Sequence, residues 1–440
     1  MGSNGNKTAL KIHTKTGAGQ SMDRVIILSN SPGEVSGWVK PVSAELDTIN
    51  AAEETLLAVL PCPYASGAEE KYGTEIDGIG RSMKFKELWK NPPKDGRNLV
   101  LQLGGEPAFG AALSLRLHSA WMIYTSRPKW RSRVTHYFIP DANADSRFKH
   151  ARIKKWQYSQ VGNLILDSVP KCCSAEDARK KLGLADSEQA IAFLPGSRPF
   201  EYTDGSTIFC RAAQEIMSRH EEVSVFIIVA PTVDEAMLCK SLTSAGIAWK
   251  GSGKAEEVLW HGKGKIKFIR EDTFEAIKAS SLAVVLPGTN NLQIASIGVP
   301  QLMVAPLNKA EYIPLDGIPG LIPLSIPGAK KIKKKIVLHF NAREKYVSLP
   351  NRITDEPIVP EHRYIMTPST VAHLAEELLY DKKRLKEIAD GYSKINFVYG
   401  ASKKIAEAVK EYFEKENQYF AAEEEIDEIK EVEEEEDPIE

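Results

Sequence analysis

Short apolar segments rich in β-branched residues alternate with helix-length segments along most of this 440-residue chain, and they do so in two series. VIILS (25–29), LLAVL (56–60), NLVLQL (98–103), AWMIYT (120–125) and HYFIP (136–140) make the first series. IAFLPG (191–196), VSVFIIVAP (223–231), KIKFI (265–269), LAVVLPG (282–288) and PQLMVAP (300–306) make the second. Runs this short and this continuously apolar, closed by Gly, Pro or Ser, read as strands buried on both faces of a parallel sheet. Their alternation with helices builds βαβ units and a doubly wound α/β sheet. Two series, in a chain longer than one core usually serves, predict two Rossmann-like parallel-sheet domains facing a cleft.

The predicted first domain is 22–166, completed by a returning C-terminal helix at about 396–418, and the second is 167–395. The joint lies near 164–175, where Pro170 interrupts the chain and Ser174, followed by Glu176 and Asp177, supplies a fresh helix cap. Segments 369–380, 381–395 and 400–418 read as helices. Residues 307–335 are rich in Pro and Gly and end in KKIKKK, which predicts a long loop, functional or disordered, with its Lys cluster open to solvent or to anionic lipid.

Five cysteines (Cys62, Cys172, Cys173, Cys210, Cys239) show no Cys-x-x-Cys spacing, which argues against a disulfide framework or a zinc site and for a reducing compartment. No apolar stretch reaches the roughly 18 residues that would span a bilayer, so a cytoplasmic location is expected. Residues 1–21 are polar, carry no apolar leader, and read as a tag or disordered extension. Residues 423–440 hold twelve Asp or Glu against one Lys, a charge of −11, and 420–440 reads as a disordered acidic tail. Setting that segment aside turns the formal −2 of the chain into +9 for the body, which suits anionic substrates or an anionic membrane face.

Four strand ends carry the candidate chemistry. In FLPGSRPFEY (193–202), Gly196 permits close backbone approach, Ser197 offers a hydroxyl, and Arg198 supplies a planar fork at a helix start suited to a diphosphate. A plain turn with Arg198 paired to Glu201 is the structural alternative. In LPGTNNLQIASIGVP (286–300), Gly288, Thr289 and Asn290 form a second such turn, and Gln293 sits one helical turn in, placed for a ribose hydroxyl; Thr289 and Asn290 are also good helix caps. In LSNSPGEVSGWV (28–39) the turn carries Glu34, fit to bind sugar hydroxyls or take a proton, or simply to face a helix dipole. In LQLGGEPAFG (101–110), Glu106 is a general-base candidate, or the neighbour of a helix started by Pro107. His118, His136, His261 and His339 stand alone in their segments and read as packing or surface residues.

At these residues the chain resembles the lipid-A-disaccharide synthase family over roughly 24–415. Gly33, Glu34, Ser36 and Gly37 match its first turn. Tyr124, Ser126, Pro128, Trp130, Arg131 and Arg133 echo an aromatic-Ser-Pro-x-x-Trp segment, and Gly162 and Asp167 match an interdomain pair. Leu194 to Arg198 with Glu201 match Leu-Pro-Gly-Ser-Arg-x-x-Glu in full, Gly288, Thr289 and Leu292 match in part, and Tyr346 to Asn351 with Val359 to Glu361 match Tyr-Val-Ser-Leu-Pro-Asn and its sequel. The chain departs from the family where Trp38 replaces Asp, where Gln293 replaces Glu, where Gly104-Gly105-Glu106-Pro107-Ala108 replaces Asp-Ala-Pro-Asp, and in the insert 307–345.

The resemblance implies a GT-B glycosyltransferase that moves a diacylglucosamine from a UDP-sugar to a lipid-linked amino-sugar 1-phosphate, releasing UDP, in lipid A biosynthesis at the inner membrane surface. It implies that Gly196, Ser197 and Arg198 hold the diphosphate, that Gly288, Thr289, Asn290 and Gln293 hold the nucleotide, and that Gly33, Glu34, Ser36, Gly37 and Asn351 meet the acceptor. Glu106 is the leading base candidate and Glu34 the second, with Arg198 stabilising the leaving group. No cofactor and no metal is expected, since a helix N-terminus and a guanidinium can neutralise a diphosphate. No nucleic acid is expected as a partner, and an oligomer is compatible with the sequence. A UDP-sugar 2-epimerase and a non-catalytic nucleotide-sugar-binding relative remain as alternatives.

Overall fold

A computed structural model describes residues 22–415 apart from 63–64, 172, 186, 235, 237, 239–241, 244–245, 247–255, 260–264, 313–325 and 327. The expectations for 1–21, for the acidic tail 420–440 and for His261 lie outside the described residues.

Seven strands form the first sheet: β1 (Asp23–Ser29), β2 (Glu54–Val59), β3 (Arg81–Lys84), β4 (Arg97–Gln102), β5 (Ala120–Tyr124), β6 (His136–Ile139) and β7 (Tyr158–Gln160). Their order is β3-β2-β1-β4-β5-β6-β7, and every pairing is parallel. The second sheet holds β8 (Gln189–Leu194), β9 (Val223–Ile228), β10 (Glu256–Leu259), β11 (Lys265–Ile269), β12 (Leu282–Val285), β13 (Gln301–Val304) and β14 (Glu361–His362). It runs β10-β11-β9-β8-β12-β13-β14, parallel except for β10, which is antiparallel to β11. Each sheet reverses its winding once, between β1 and β4 and between β8 and β12. These are the points at which loops part to either side and leave a crevice above the strand ends.

The unbroken apolar runs follow from this layering. In β1, Val25 and Ile27 face one helix layer while Ile26 and Leu28 face the other, and all four are fully buried. A strand side chain alternates faces, so only helices on both sides explain a run with no polar gap. Burying such a side chain contributes roughly 1.5–3 kcal/mol. The strands missing from the sequence reading are edge strands: β3 (RSMK) and β7 (YSQ) lie at the two ends of the first sheet, while β10 and β14 lie at the ends of the second. At an edge one flank is solvated and the apolar signature fades.

The last helix, 401–415, returns to the first sheet, where Ala401, Ile405, Ala406, Val409 and Phe413 enter its core. Asp167 anchors the crossing. Its carboxylate accepts from Gly400 N at 2.7 Å and from Ser402 N and Oγ at 2.6 and 2.8 Å, capping that helix from the interdomain segment. Gly162, at φ +114°, lets the segment pass Val398 O, which a β-carbon would meet at 3.0 Å. Trp38 packs against the cores of both domains and meets Tyr124 edge-on at 5.3 Å, so the Trp that replaces a family Asp serves as interdomain packing.

The Lys cluster differs from expectation. Lys330 to Lys335 lie in a helix, Ala329–Arg343, and Lys333 is buried. From Ala329 to Arg343 the sequence contains no Gly or Pro, and Lys, Ile, Leu and Val propagate a helix once Gly328 has turned the chain at φ +83°.

Candidate functional site

The four candidate turns are the loops at the two switch points: those after β1 and β4 in the first domain, and after β8 and β12 in the second. They meet across an interdomain cleft of about 1060 Å³. Its lining includes Gly33, Glu34, Ser36 and Trp38 from the first domain, and Gly196, Ser197, Arg198, Gly288, Thr289, Asn290 and Gln293 from the second. The approach is close: a β-carbon at Gly33 would stand 3.8 Å from Thr289 Oγ1.

On the second-domain side, Gly196 at φ +92° turns β8 into the helix Pro199–Arg219, with Arg198 as its N-cap residue and no side chain capping it. Pro199 lacks an N–H and pre-sets the helical φ. The first turn of such a 21-residue helix presents backbone donors and a partial positive charge toward the cleft. The turn after β12 leads into the helix Asn290–Ser296, whose N-cap Thr289 makes no side-chain capping bond. Asn290 Oδ1 accepts from Asn291 Nδ2 at 3.1 Å. Gln293 Nε2 donates to Ser168 Oγ at 2.7 Å, tying this helix to the interdomain segment.

Glu34 is the first-domain group of chemical interest. Ser31 caps the short helix Pro32–Glu34, and the chain continues as a π-turn, Val35–Val39, that holds Glu34 inward. Burial pushes the Glu34 carboxyl up to about 7, against the amides of Asn30 and Ser31, the Ser31 hydroxyl and the positive charge of Arg198, which pull it down. Its Oε2 has no hydrogen-bond partner among the described residues. A carboxylate poised near neutrality, facing a guanidinium across a cleft, has the properties of a general base. Ser36 Oγ donates to Pro32 O at 2.8 Å, and Gly37 makes room for Ile165, whose Cδ1 a β-carbon would meet at 2.5 Å. Gly37 therefore serves the domain joint and is not among the cleft-lining residues.

Two further candidates lie elsewhere. Glu106 is exposed and does not line the cleft; it precedes the helix Pro107–Arg116, and its carbonyl accepts from Gln102 Nε2 at 3.0 Å. The Gly104-Gly105 turn aims it away, since Gly105 adopts φ +70°. Asn351 is fully buried and outside the cleft lining, with every amide atom occupied: Nδ2 donates to Val359 O at 2.8 Å and Glu361 Oε1 at 2.9 Å, and Oδ1 accepts from Val359 N at 2.8 Å. Glu361 in turn accepts from Val347 N and Ser348 N, so hydrogen bonds tie the Tyr346–Asn351 and Val359–Glu361 blocks together, while Val347 and Leu349 reach the cleft.

The cleft also holds residues that sequence reasoning passed over, among them Tyr72, Arg270, Asp272 and Arg352. Arg270 and Asp272 follow β11, and the strand end at KIKFI followed by Arg-Glu-Asp-Thr was the available signal. Among the described residues no group of three or more His, Cys, Asp or Glu could hold a metal ion, and no helix is long and apolar enough to cross a membrane.

Comparison with known proteins follows the same lines. Residues 151–313 match the family model of lipid-A-disaccharide synthetase. The lipid-A-disaccharide synthase of Gloeothece citriformis (strain PCC 7424) is 26% identical over 325 residues, covering 71% of this chain and 74% of that protein. That of Prochlorococcus marinus (strain MIT 9313) is 22% identical over 418 residues, covering 87% of this chain and 97% of the relative. Among solved structures, the Listeria monocytogenes protein assigned as a UDP-N-acetylglucosamine 2-epimerase superposes with a TM-score of 0.52 at 12% identity, over 90% of this chain and 98% of that one. The S. aureus MnaA–UDP co-structure gives 0.51 at 12%, over 89% and 97%. At such identity the structural likeness shows the fold, a GT-B arrangement of two parallel-sheet domains.

Proposed function

We propose that this chain, which is similar to lipid-A-disaccharide synthases along most of its length, is a divergent member of that family and transfers an acylated glucosamine from a UDP-sugar to a lipid-linked amino-sugar 1-phosphate, releasing UDP. The observation that carries this reading is the pairing, across one cleft, of the helix start at Gly196–Arg198 with the buried carboxyl of Glu34. The helix amides and Arg198 take the diphosphate and stabilise the charge that develops as UDP departs. Gly288 to Gln293 hold the nucleoside. Glu34, rather than the exposed Glu106, removes the proton from the acceptor hydroxyl, which attacks the anomeric carbon from the face opposite UDP and inverts it. Closure of the domains excludes the water that would otherwise hydrolyse the donor. The chemistry of the acceptor calls for peripheral contact with a membrane surface.

Mass spectrometry of products from a panel of UDP-acylaminosugars with lipid acceptors tests the proposal. A disaccharide product with UDP release supports it, and Arg198→Ala is expected to lower turnover on the order of 10²-fold. A C2 epimer formed from UDP-N-acetylglucosamine alone would make the chain an epimerase. Absence of UDP binding in titration calorimetry would make it a non-catalytic relative.

A further inference from the structure

We propose that the acidic C-terminal segment, residues 423–440, docks on a basic, tryptophan-bearing flank of the first domain. This goes beyond the transfer reaction and does not depend on it. Between Arg127 and Lys155 the chain carries nine Lys or Arg against two Asp. The structure draws the segments that carry them together. Gln157 Nε2 donates to Arg131 O and Val134 O, both at 2.9 Å, joining the loop after β5 to the turn before β7, and Arg147 Nε donates to Ser126 O at 3.0 Å, joining that loop to the helix Ala142–His150. Of the nine bases, only Lys149 pairs with a carboxylate among the described residues. Two large apolar rings stand out from this surface, Trp130 at 46% exposure and Trp156 at 69%. Trp130 holds φ +61°, an unfavourable backbone for a bulky residue.

The last described helix ends near this flank. The helix 401–415 ends where Phe413 O accepts from Arg97, the first residue of β4, and β4 lies two strand spacings, about 10 Å, from β6. Glu411 on that helix is close enough to His136, which opens β6 and bonds the Trp156 carbonyl, for each to act on the other's charge. Residues 416–422 span up to roughly 24 Å, enough to deliver residue 423 to the flank. The two sequences are complementary in charge, twelve Asp or Glu against a flank rich in Lys and Arg, and Ile426, Ile429 and Val432 are apolar residues that the tryptophans can cover. Tethering raises the local concentration of the tail to the millimolar range.

Zero-length carbodiimide crosslinking of the full chain, followed by peptide mass spectrometry, reads this contact. The expected result is crosslinks within one molecule from the 423–440 carboxylates to Lys129, Lys154 or Lys155, lost in 0.5 M NaCl, where the Debye length is about 4 Å. A labelled 421–440 peptide should bind a chain ended after Tyr419 but bind the full chain at least about tenfold more weakly, and Arg131→Glu with Lys154→Glu should abolish binding to the shortened chain. Crosslinks to other surfaces, equal peptide binding by full and shortened chains, or binding that survives the charge reversal would overturn the proposal. So would equal binding of both chains to phosphatidylcholine vesicles containing phosphatidylglycerol when that binding is lost in the double variant, since the flank would then be open to lipid with the tail present.

Discussion

The carboxylate of Glu34 lies against the α-carbon of Gly104: a β-carbon built on Gly104 would stand 2.3 Å from Glu34 Oε2. The strand-four turn that lacks the family's Asp thus forms the floor under the carboxylate of the strand-one turn. Gly104→Ala is expected to push Glu34 out of place. Because the obstacle is the end of a flexible side chain, stability should change little, while kcat falls on the order of 10²-fold, the cost of misplacing a catalytic group by about 1 Å. Steady-state kinetics beside a thermal melt separates the two effects.

The raised Glu34 carboxyl has a stability signature. Its unfolded value is near 4.5 and its folded value about 7, so the folded state binds the proton more tightly. Between those values stability falls as pH rises, by roughly 3 kcal/mol at about 1.4 kcal/mol per unit. Glu34→Gln should therefore match the parent near pH 4.5 and exceed it in denaturant midpoint at pH 8, while losing transfer activity. In the parent, kcat should climb with pH through an apparent value near 7. A midpoint difference that does not grow between those pH values would remove Glu34 from its assigned environment.

Asp167 holds three donors of the returning helix, and its loss leaves them without their acceptor. Asp167→Ala is expected to cost roughly 3 kcal/mol, and to speed hydrogen exchange in 401–415 before it does so in the second domain. Unchanged exchange in that helix would show that core packing alone secures it.

Asn351→Ala removes three buried hydrogen bonds, so it should lower stability by about 3 kcal/mol and leave the UDP dissociation constant within about twofold of the parent in titration calorimetry. A large loss of UDP affinity in a folded variant would return Asn351 to the ligand site.

The GSR turn was legible because its chemistry is local: Gly196, Arg198 and Pro199 define a turn and a helix start whatever lies around them. The same holds for the ten apolar strands, whose continuous hydrophobicity records helices on both faces. Which carboxylate enters the cleft was not legible. Glu34 and Glu106 follow equivalent strand ends in similar Gly-containing turns, and only the packing of one turn on the other turns Glu34 in and Glu106 out. Likewise Asn351 looks like a ligand residue in a motif and Asp167 like half of an interdomain pair, yet their hydrogen-bond partners lie 8 to 235 positions away in the chain. Sequence determined the ten apolar strands, their division into two sheets and the phosphate-type turn, because those depend on neighbours along the chain. Tertiary structure decided which polar side chains are spent on the scaffold and which remain for chemistry, because a hydrogen bond between distant segments exists only once both have been brought together.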